Sequence, residues 1–450
     1  MNVFTTLAAF LVTLGVLIVI HELGHYWVAR WCGVKVLRFS IGFGRPIARW
    51  TRGADQTEWV VSALPLGGYV RMLDERDPDT GPVPASELAR AFNRQSVGKR
   101  FAIVLAGPVA NLLLAIAVYW VLNVVGVYEP RATLGSPPPA SAAAQAGVQS
   151  GDTVLEVDGA AVRSWNELRW LLLQKAVDRA PIPVEVEGGD RRRRSIMLEP
   201  GDLATADPES DVVGRLGIVP YSGAPRVARL SPDSAAAQAG VRVGDTVVDV
   251  DGREIASARE LIERIRSAAG APLKLGLERD GTYMKLVVTP LRVTDDQGNS
   301  VGRIGAELND RAPLIKVQYG PVESVGLAVG KTWDTAIFSL RMLGKMVTGE
   351  ASWRNLSGPV TIADYAGQTA RIGMAAFLGF LALVSISLAV LNLLPIPMLD
   401  GGHLLYYLIE ILKGSPPADW VIEWGQRAGV VLLGLLTMLA LYNDLIRLLS

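Results

Sequence analysis

At 450 residues, half of them hydrophobic and with a mean hydropathy of +0.29, the chain is long enough for several domains and is tested first as a membrane protein. Its 44 basic and 44 acidic residues cancel, which argues against a strongly basic nucleic-acid binder and against an acidic disordered tail. The single cysteine, Cys32, excludes an intramolecular disulfide framework and a Cys-rich metal site, and the rarity of His21, His25 and His403 makes their positions informative.

The first element is an apolar run over about residues 4 to 29, long enough for the roughly 20 residues of a bilayer-crossing helix. It lacks a basic start and an obvious small-residue cleavage site, so it reads as a retained span and not as a signal peptide. Within it stands "HELGH". On a helix His21 and His25, four residues apart, project from one face and can bind one metal ion, while Glu22 can reach a metal-bound water. A core helix with paired histidines is the bland alternative. The setting argues against it, because ionisable groups in a span are costly and usually functional.

Between this run and the next, at about 101 to 126, lie Arg30, Lys35, Arg38, Arg45, Arg49, Arg52 and further basic residues. That excess places the segment in the cytoplasm, and both termini and the region 127–373 on the other side. The glycine-rich turns and alternating residues of 38–72 predict hairpins, with Gly42 and Gly44 in "GFG" either permitting close backbone approach or forming an ordinary turn.

A repeat follows. "AAAQAGV" at 142 and 235, "GDTV" at 151 and 244 and "VDG" at 157 and 250 are each offset by 93 residues, which predicts two similar globular modules and not a solenoid. Each starts with a small-residue helix ending at Gly, then a tight turn and a strand, "TVLEV" or "TVVDV". The second adds an amphipathic helix, "ELIERIRSA", and a hairpin turning at Asp280-Gly281. Arg191 to Arg194 fit a hairpin tip in the first, either solvated or facing anionic lipid; nucleic acid is disfavoured on that side of a membrane. Val329, Trp333, Ile337, Leu340, Leu343 and Val347 recur at helical spacing, as in a helix packed on the span bundle or lying at the membrane surface.

The third run, about 374 to 397, leads into "NLLPIPMLDGGH", and the fourth covers about 428 to 446. Pro395 and Pro397 break the helix and free backbone groups that could meet a substrate. A catalytic zinc takes three protein ligands and keeps a position for water, so the third ligand is a carboxylate or His403. The first and third spans run in the same direction, which lets Asp400 share a depth with His21 and His25. His403 is otherwise an outer partner or an interfacial histidine.

With "HELGH", "LAGPVAN" at 105–111, "NLLPIPMLDGG" and the tandem modules in this order, the chain resembles the site-2 protease family of intramembrane zinc metalloproteases over essentially its full length. The resemblance implies Zn2+ held by His21, His25 and Asp400, Glu22 as the catalytic residue, and Asn392 on the substrate backbone, with Gly42, Gly44, Pro395 and Pro397 beside the substrate. It also implies a polytopic α-helical membrane protein with four transmembrane helices, a membrane-associated β-hairpin region after the first, and two tandem α/β PDZ domains between the second and third. The peptide-binding strands would lie near "RLGIVP" and "RIGAEL". The expected division is 1–126, first two spans with the β region; 127–221 and 222–312, the PDZ domains; 313–373, a membrane-proximal amphipathic helical segment; and 374–450, the last two spans. In the family the PDZ domains are periplasmic and restrict access to already trimmed substrates, and the β region is a sheet whose edge pairs with the unwound substrate. The expected function is the second cleavage of single-span membrane proteins in the bacterial inner membrane: an anti-sigma factor in envelope-stress (sigma-E) signalling after its first cut, and remnant signal peptides. Peptide termini at the PDZ domains and the lipid bilayer are further partners. Two rivals are a membrane-anchored PDZ scaffold with a non-catalytic metal site, and a metal transporter, for which polar groups along the spans are sparse.

Overall fold

A computed structural model describes residues 3–449 apart from 78–79, 81–82, 177–179, 201–211, 256, 296–297, 310–313 and 354–355. The expected boundary at residues 312 and 313 lies outside the described residues. The chain forms two compact units, residues 1–127 with 318–450, and residues 128–317.

In the first unit, helix α1 (Val3–Trp31) is followed by strands β1 (Val36–Arg52) and β2 (Thr57–Met72) and by helix α2 (Val97–Val125). Helical backbone keeps most amides and carbonyls bonded within each helix, as an apolar environment requires, with Pro108 in α2 lacking the N–H that would bond the Val104 carbonyl. The two long strands bend, so four segments lie side by side in the order 46–52, 57–62, 36–41, 68–72. Gly42 makes the bend possible. Its φ of +90° is open to few other residues, and a Cβ there would sit 2.7 Å from the Leu64 carbonyl oxygen.

The second unit begins within β3 (Val127–Pro130), at Tyr128. Its first module contains α3 (Ala142–Gln145), β4 (Thr153–Val157), β5 (Ala160–Ala161), α4 (Trp165–Ala176), β6 (Ile182–Glu187), β7 (Arg193–Leu198) and α5 (Val212–Arg215). Its second contains β8 (Arg226–Leu230), α6 (Ala235–Gln238), β9 (Thr246–Val250), β10 (Arg253–Glu254), α7 (Ala258–Ser267), β11 (Leu273–Arg279), β12 (Thr282–Val288), β13 (Leu291–Thr294), β14 (Ser300–Arg303) and β15 (Ala306–Asn309); β16 (Leu314–Val317) pairs with β3. The repeat is visible in atomic detail. Ser141 and Ser234 cap the equivalent short helices, each accepting from the third amide onward. Leu168, Leu172, Val184 and Val186 centre one core, Leu261, Ile265, Leu275 and Leu277 the other.

Each "GDTV" aspartate anchors an arginine. Asp152 takes two 2.7 Å bonds from Arg194 and one from the Gln149 amide; Asp245 takes two 2.7 Å bonds from Arg279 and one from the Arg242 amide. This corrects the reading of Arg191–Arg194 as a tip throughout, because Arg194 lies in β7 and its charge is held by a buried carboxylate. A second correction concerns "RLGIVP". Arg215 ends α5 and Gly217 has φ +83°, so only an isolated bridge from Pro220 to Leu134 replaces the expected strand. In "RIGAEL", β15 does form and pairs with β8.

The chain returns to the first unit through α8 (Pro321–Val347), α9 (Pro359–Ile372), α10 (Met374–Leu393), α11 (Asp400–Lys413) and α12 (Asp419–Leu449). Among the described residues four helices, α1, α2, α10 and α12, are long and apolar enough to cross a membrane. The third stops at Leu393, short of the expected 397, because Leu394 adopts the extended backbone that precedes proline. In α8 small residues, Ser324, Ala328, Thr332 and Thr335, are buried, while Val329, Trp333, Leu340 and Val347 are exposed. Most of the large apolar stripe thus points outward, as suits lipid, while Leu343 packs against the core that α8 shares with α2 and α10.

The Arg279 guanidinium beside Asp245 holds its carboxyl below the ordinary range. A lowered folded value means stability that is present above the unfolded carboxyl's value, about 4, and is lost as pH falls through the lower one. Asp245→Asn should destabilise the second module by about 1–3 kcal/mol at neutral pH. Hydrogen exchange of the β9 and β11 amides in the full chain measures it, and the deficit should shrink on acidification.

Candidate metal centre

The four-residue spacing on α1 sets the His21 and His25 rings on one face, edge to face with centroids 4.8 Å apart. Their Nε2 atoms are 3.2 Å apart. Asp400 Oδ2 lies 3.2 Å from His21 Nε2 and 3.6 Å from His25 Nε2. Among the described residues this is the group of three His, Cys, Asp or Glu side chains close enough to hold one ion.

Asp400 reaches the histidines because the backbone folds tightly between α10 and α11. A Cβ on Gly401 would sit 2.1 Å from the Leu394 carbonyl oxygen, and one on Gly402 2.5 Å from that of Ile396. Met398 takes a φ of +84°, a left-handed conformation that costs a side-chain-bearing residue about 1–3 kcal/mol. Farther along α11, Glu410 accepts a 2.6 Å bond from Arg100 at the start of α2, whose guanidinium also lies 5.0 Å from the centre of the Tyr407 ring.

These donors fit zinc. Nitrogen and oxygen ligands at about 2.0–2.2 Å in a tetrahedron stand about 3.3–3.6 Å apart; the three separations here are 3.2, 3.2 and 3.6 Å. Asp400 Oδ2 is buried and accepts no hydrogen bond, which is costly for a carboxylate that no cation meets. Space is also reserved. A Cβ on Gly107 of α2 would lie 2.3 Å from His25 Nε2 and 2.8 Å from His21 Cε1.

The outer nitrogens are engaged. His25 Nδ1 lies 2.8 Å from the Ile103 carbonyl oxygen, which can only accept, so Nδ1 carries the proton and Nε2 presents its lone pair. His21 Nδ1 lies 3.3 Å from the Asn111 amide. Glu22 borders the sheet, where a Cβ on Gly68 would come within 3.0 Å of its Cγ.

The remaining expected residues are dispersed around this core. Asn392 is the last residue but one of α10, Pro395 is exposed in the loop, and Pro397 packs on α12, where a Cβ on Gly429 would meet its carbonyl oxygen at 2.3 Å. Gly42 and Gly44 lie at the bend of β1. His403 stays outside the cluster, its ring edge-on to Tyr406 with centroids 6.4 Å apart. Sequence reasoning missed the parts played by Ile103, Gly107 and Asn111. The signal was there, because their spacing of four places them on one face of α2, matching the spacing of the histidines.

Residues 9–436 match Peptidase family M50. A chain from Ralstonia nicotianae with the provisional name zinc metalloprotease is 46% identical over 98% of both chains. Regulator of sigma-E protease RseP of Escherichia coli is 41% identical over 98% of both, and Protease RseP of Yersinia pestis 41% identical over 100% of both. Among solved structures, the PDZ domain of an SdrC-like protein from Listeria monocytogenes is 25% identical, covering 20% of this chain and 90% of its own, with a TM-score of 0.17.

Ala at position 107 would ordinarily favour a helix by about 1 kcal/mol over Gly. Here the methyl group would force the imidazoles apart. Gly107→Ala should retain zinc more than about tenfold less tightly with helix content unchanged, as read by metal analysis and circular dichroism of the purified chain.

Proposed function

The chain belongs to peptidase family M50, the site-2 proteases, and we propose that it hydrolyses peptide bonds of single-span membrane proteins at a zinc ion held by His21, His25 and Asp400. The observation that carries this reading is the convergence of two Nε2 atoms and an unpartnered carboxylate oxygen at tetrahedral-ligand separations, between helices apolar enough to span a bilayer. When bound, zinc supplies Lewis acidity that polarises the scissile carbonyl and makes water more acidic.

Glu22 is the general base: it takes the proton of the attacking water and returns it to the leaving amine. Its place between the histidines' helix and the sheet supports that role. Segment 68–72 forms an edge of the sheet, and Gly68 borders Glu22. A helical substrate hides its peptide bonds, whereas one added to this edge as a strand would expose a carbonyl beside Glu22 with its own backbone bonded. Asn392 and the loop carrying Pro395 and Pro397 would meet the substrate from the side of α10.

The basic residues between α1 and α2 support a site toward the cytoplasmic side of a bacterial inner membrane, with the repeated modules outside. These modules are PDZ domains that screen substrates, with Tyr128–Val317 as their unit. Two relatives named for sigma-E regulation support an anti-sigma factor, already cut once, as substrate, and remnant signal peptides as a second class.

Glu22→Gln should leave zinc stoichiometry unchanged and lower cleavage of a reconstituted single-span substrate by about 10²–10⁴-fold. Undiminished turnover would remove Glu22 from the mechanism. Peptide binding without hydrolysis by the unaltered chain would instead favour a membrane-anchored scaffold.

A further inference from the structure

We propose that Asn111 is a positioning residue that fixes the tautomer and orientation of His21, so that α2 completes the metal centre without contributing a ligand. The proposal rests on the metal reading of His21, His25 and Asp400.

Asn111 is fully buried in an apolar helix. Its backbone carbonyl is bonded by Ser385 Oγ of α10 at 2.7 Å, and its side chain meets His21 Nδ1 at 3.3 Å. The other end of the amide, Oδ1, is buried without a hydrogen-bond partner. An amide half-turn exchanges Oδ1 and Nδ2 with almost no movement of the chain.

The two orientations have opposite consequences for the ring. With Nδ2 donating to Nδ1, a neutral His21 carries its proton on Nε2 and cannot offer that nitrogen to a metal. With Oδ1 on the ring, the amide accepts Nδ1–H, and the Nε2 lone pair is directed toward His25 Nε2 and Asp400 Oδ2. For His25 the Ile103 carbonyl already enforces the second arrangement. Asn111 therefore does with a side chain for one histidine what the α2 backbone does for the other, and both partners stand on the face of α2 that Gly107 keeps open.

The test uses the full chain in detergent, with Asn111→Leu, Asn111→Asp and His21→Ala. Zinc affinity is measured by chelator competition, and the visible spectrum of the cobalt-loaded protein gives a second readout. Asn111→Leu should weaken zinc binding about 10–100-fold and shift the cobalt bands. Asn111→Asp, which still accepts Nδ1–H, should return affinity to within about threefold of the unaltered chain. If Asn111→Leu does not fold, Asn111→Ala carries the same expectation. Unchanged affinity in the Leu or Ala variant, or an Asp variant as weak as either, would overturn the proposal. Zinc lost in His21→Ala but kept in Asn111→Leu would sink the role of Asn111 alone; zinc kept in both would sink the metal reading beneath it.

Discussion

The close approach of α1 and α2 is the constraint on which the membrane unit depends. In lipid no hydrophobic force drives two apolar helices together, so they associate by packing, and small residues decide how near they come. Gly24 of α1 faces Ala106, where a Cβ would lie 2.3 Å from the carbonyl oxygen. The next residue of α2, Gly107, faces the imidazoles. At a wider spacing His25 Nδ1 would lose the Ile103 carbonyl and His21 the Asn111 amide. Packing and chemistry thus share one helix face, and the glycines that set the distance also set the ligand geometry.

The same dependence governs how much of the site was legible in the sequence. His21 and His25 stood out because two rare ionisable residues at helical spacing inside an apolar run are costly to place in lipid unless they bind something. Span direction allowed Asp400, just beyond a helix-breaking Pro-x-Pro, to share their depth, and the family resemblance singled it out over His403. Gly107 and Asn111 were harder. A glycine in an apolar helix has many uses, and a lone Asn reads equally as interhelical glue, so their meaning appears only when α1 is laid against α2. The bounds of α10 show another limit: hydropathy continues through Leu393, Leu394 and Ile396, while backbone geometry ends the helix before Pro395.

In the repeated modules, local patterns were legible and long-range pairs were not. Alternation identified β4 and β9, and Asp280-Gly281 identified the β11–β12 turn. The arginine partners of Asp152 and Asp245 escaped because the repeat does not extend to them. Arg194 comes from β7, the second strand of its hairpin, and Arg279 from β11, the first of its own. A buried carboxylate requires a cation, but not from a particular strand, so two modules with one offset solve the same electrostatic problem at different positions.

Irregular backbone clusters around the site for a reason that bears on the substrate. Two interruptions flank His21–His25: the bent sheet, which reaches Glu22 at Gly68, and the turn from Leu394 to Leu399, which brings in Asp400. Backbone of this kind is tolerated at membrane depth only where it is buried in protein or lines a wet cavity, because every unpaired amide or carbonyl otherwise faces hydrocarbon. A substrate helix carries the same constraint in reverse, since unwinding it exposes amides that need partners. The edge at 68–72 lies beside Glu22, and on the proposed reading it would offer such partners next to the general base. A site that must open helices is thus best built where its own backbone is already open.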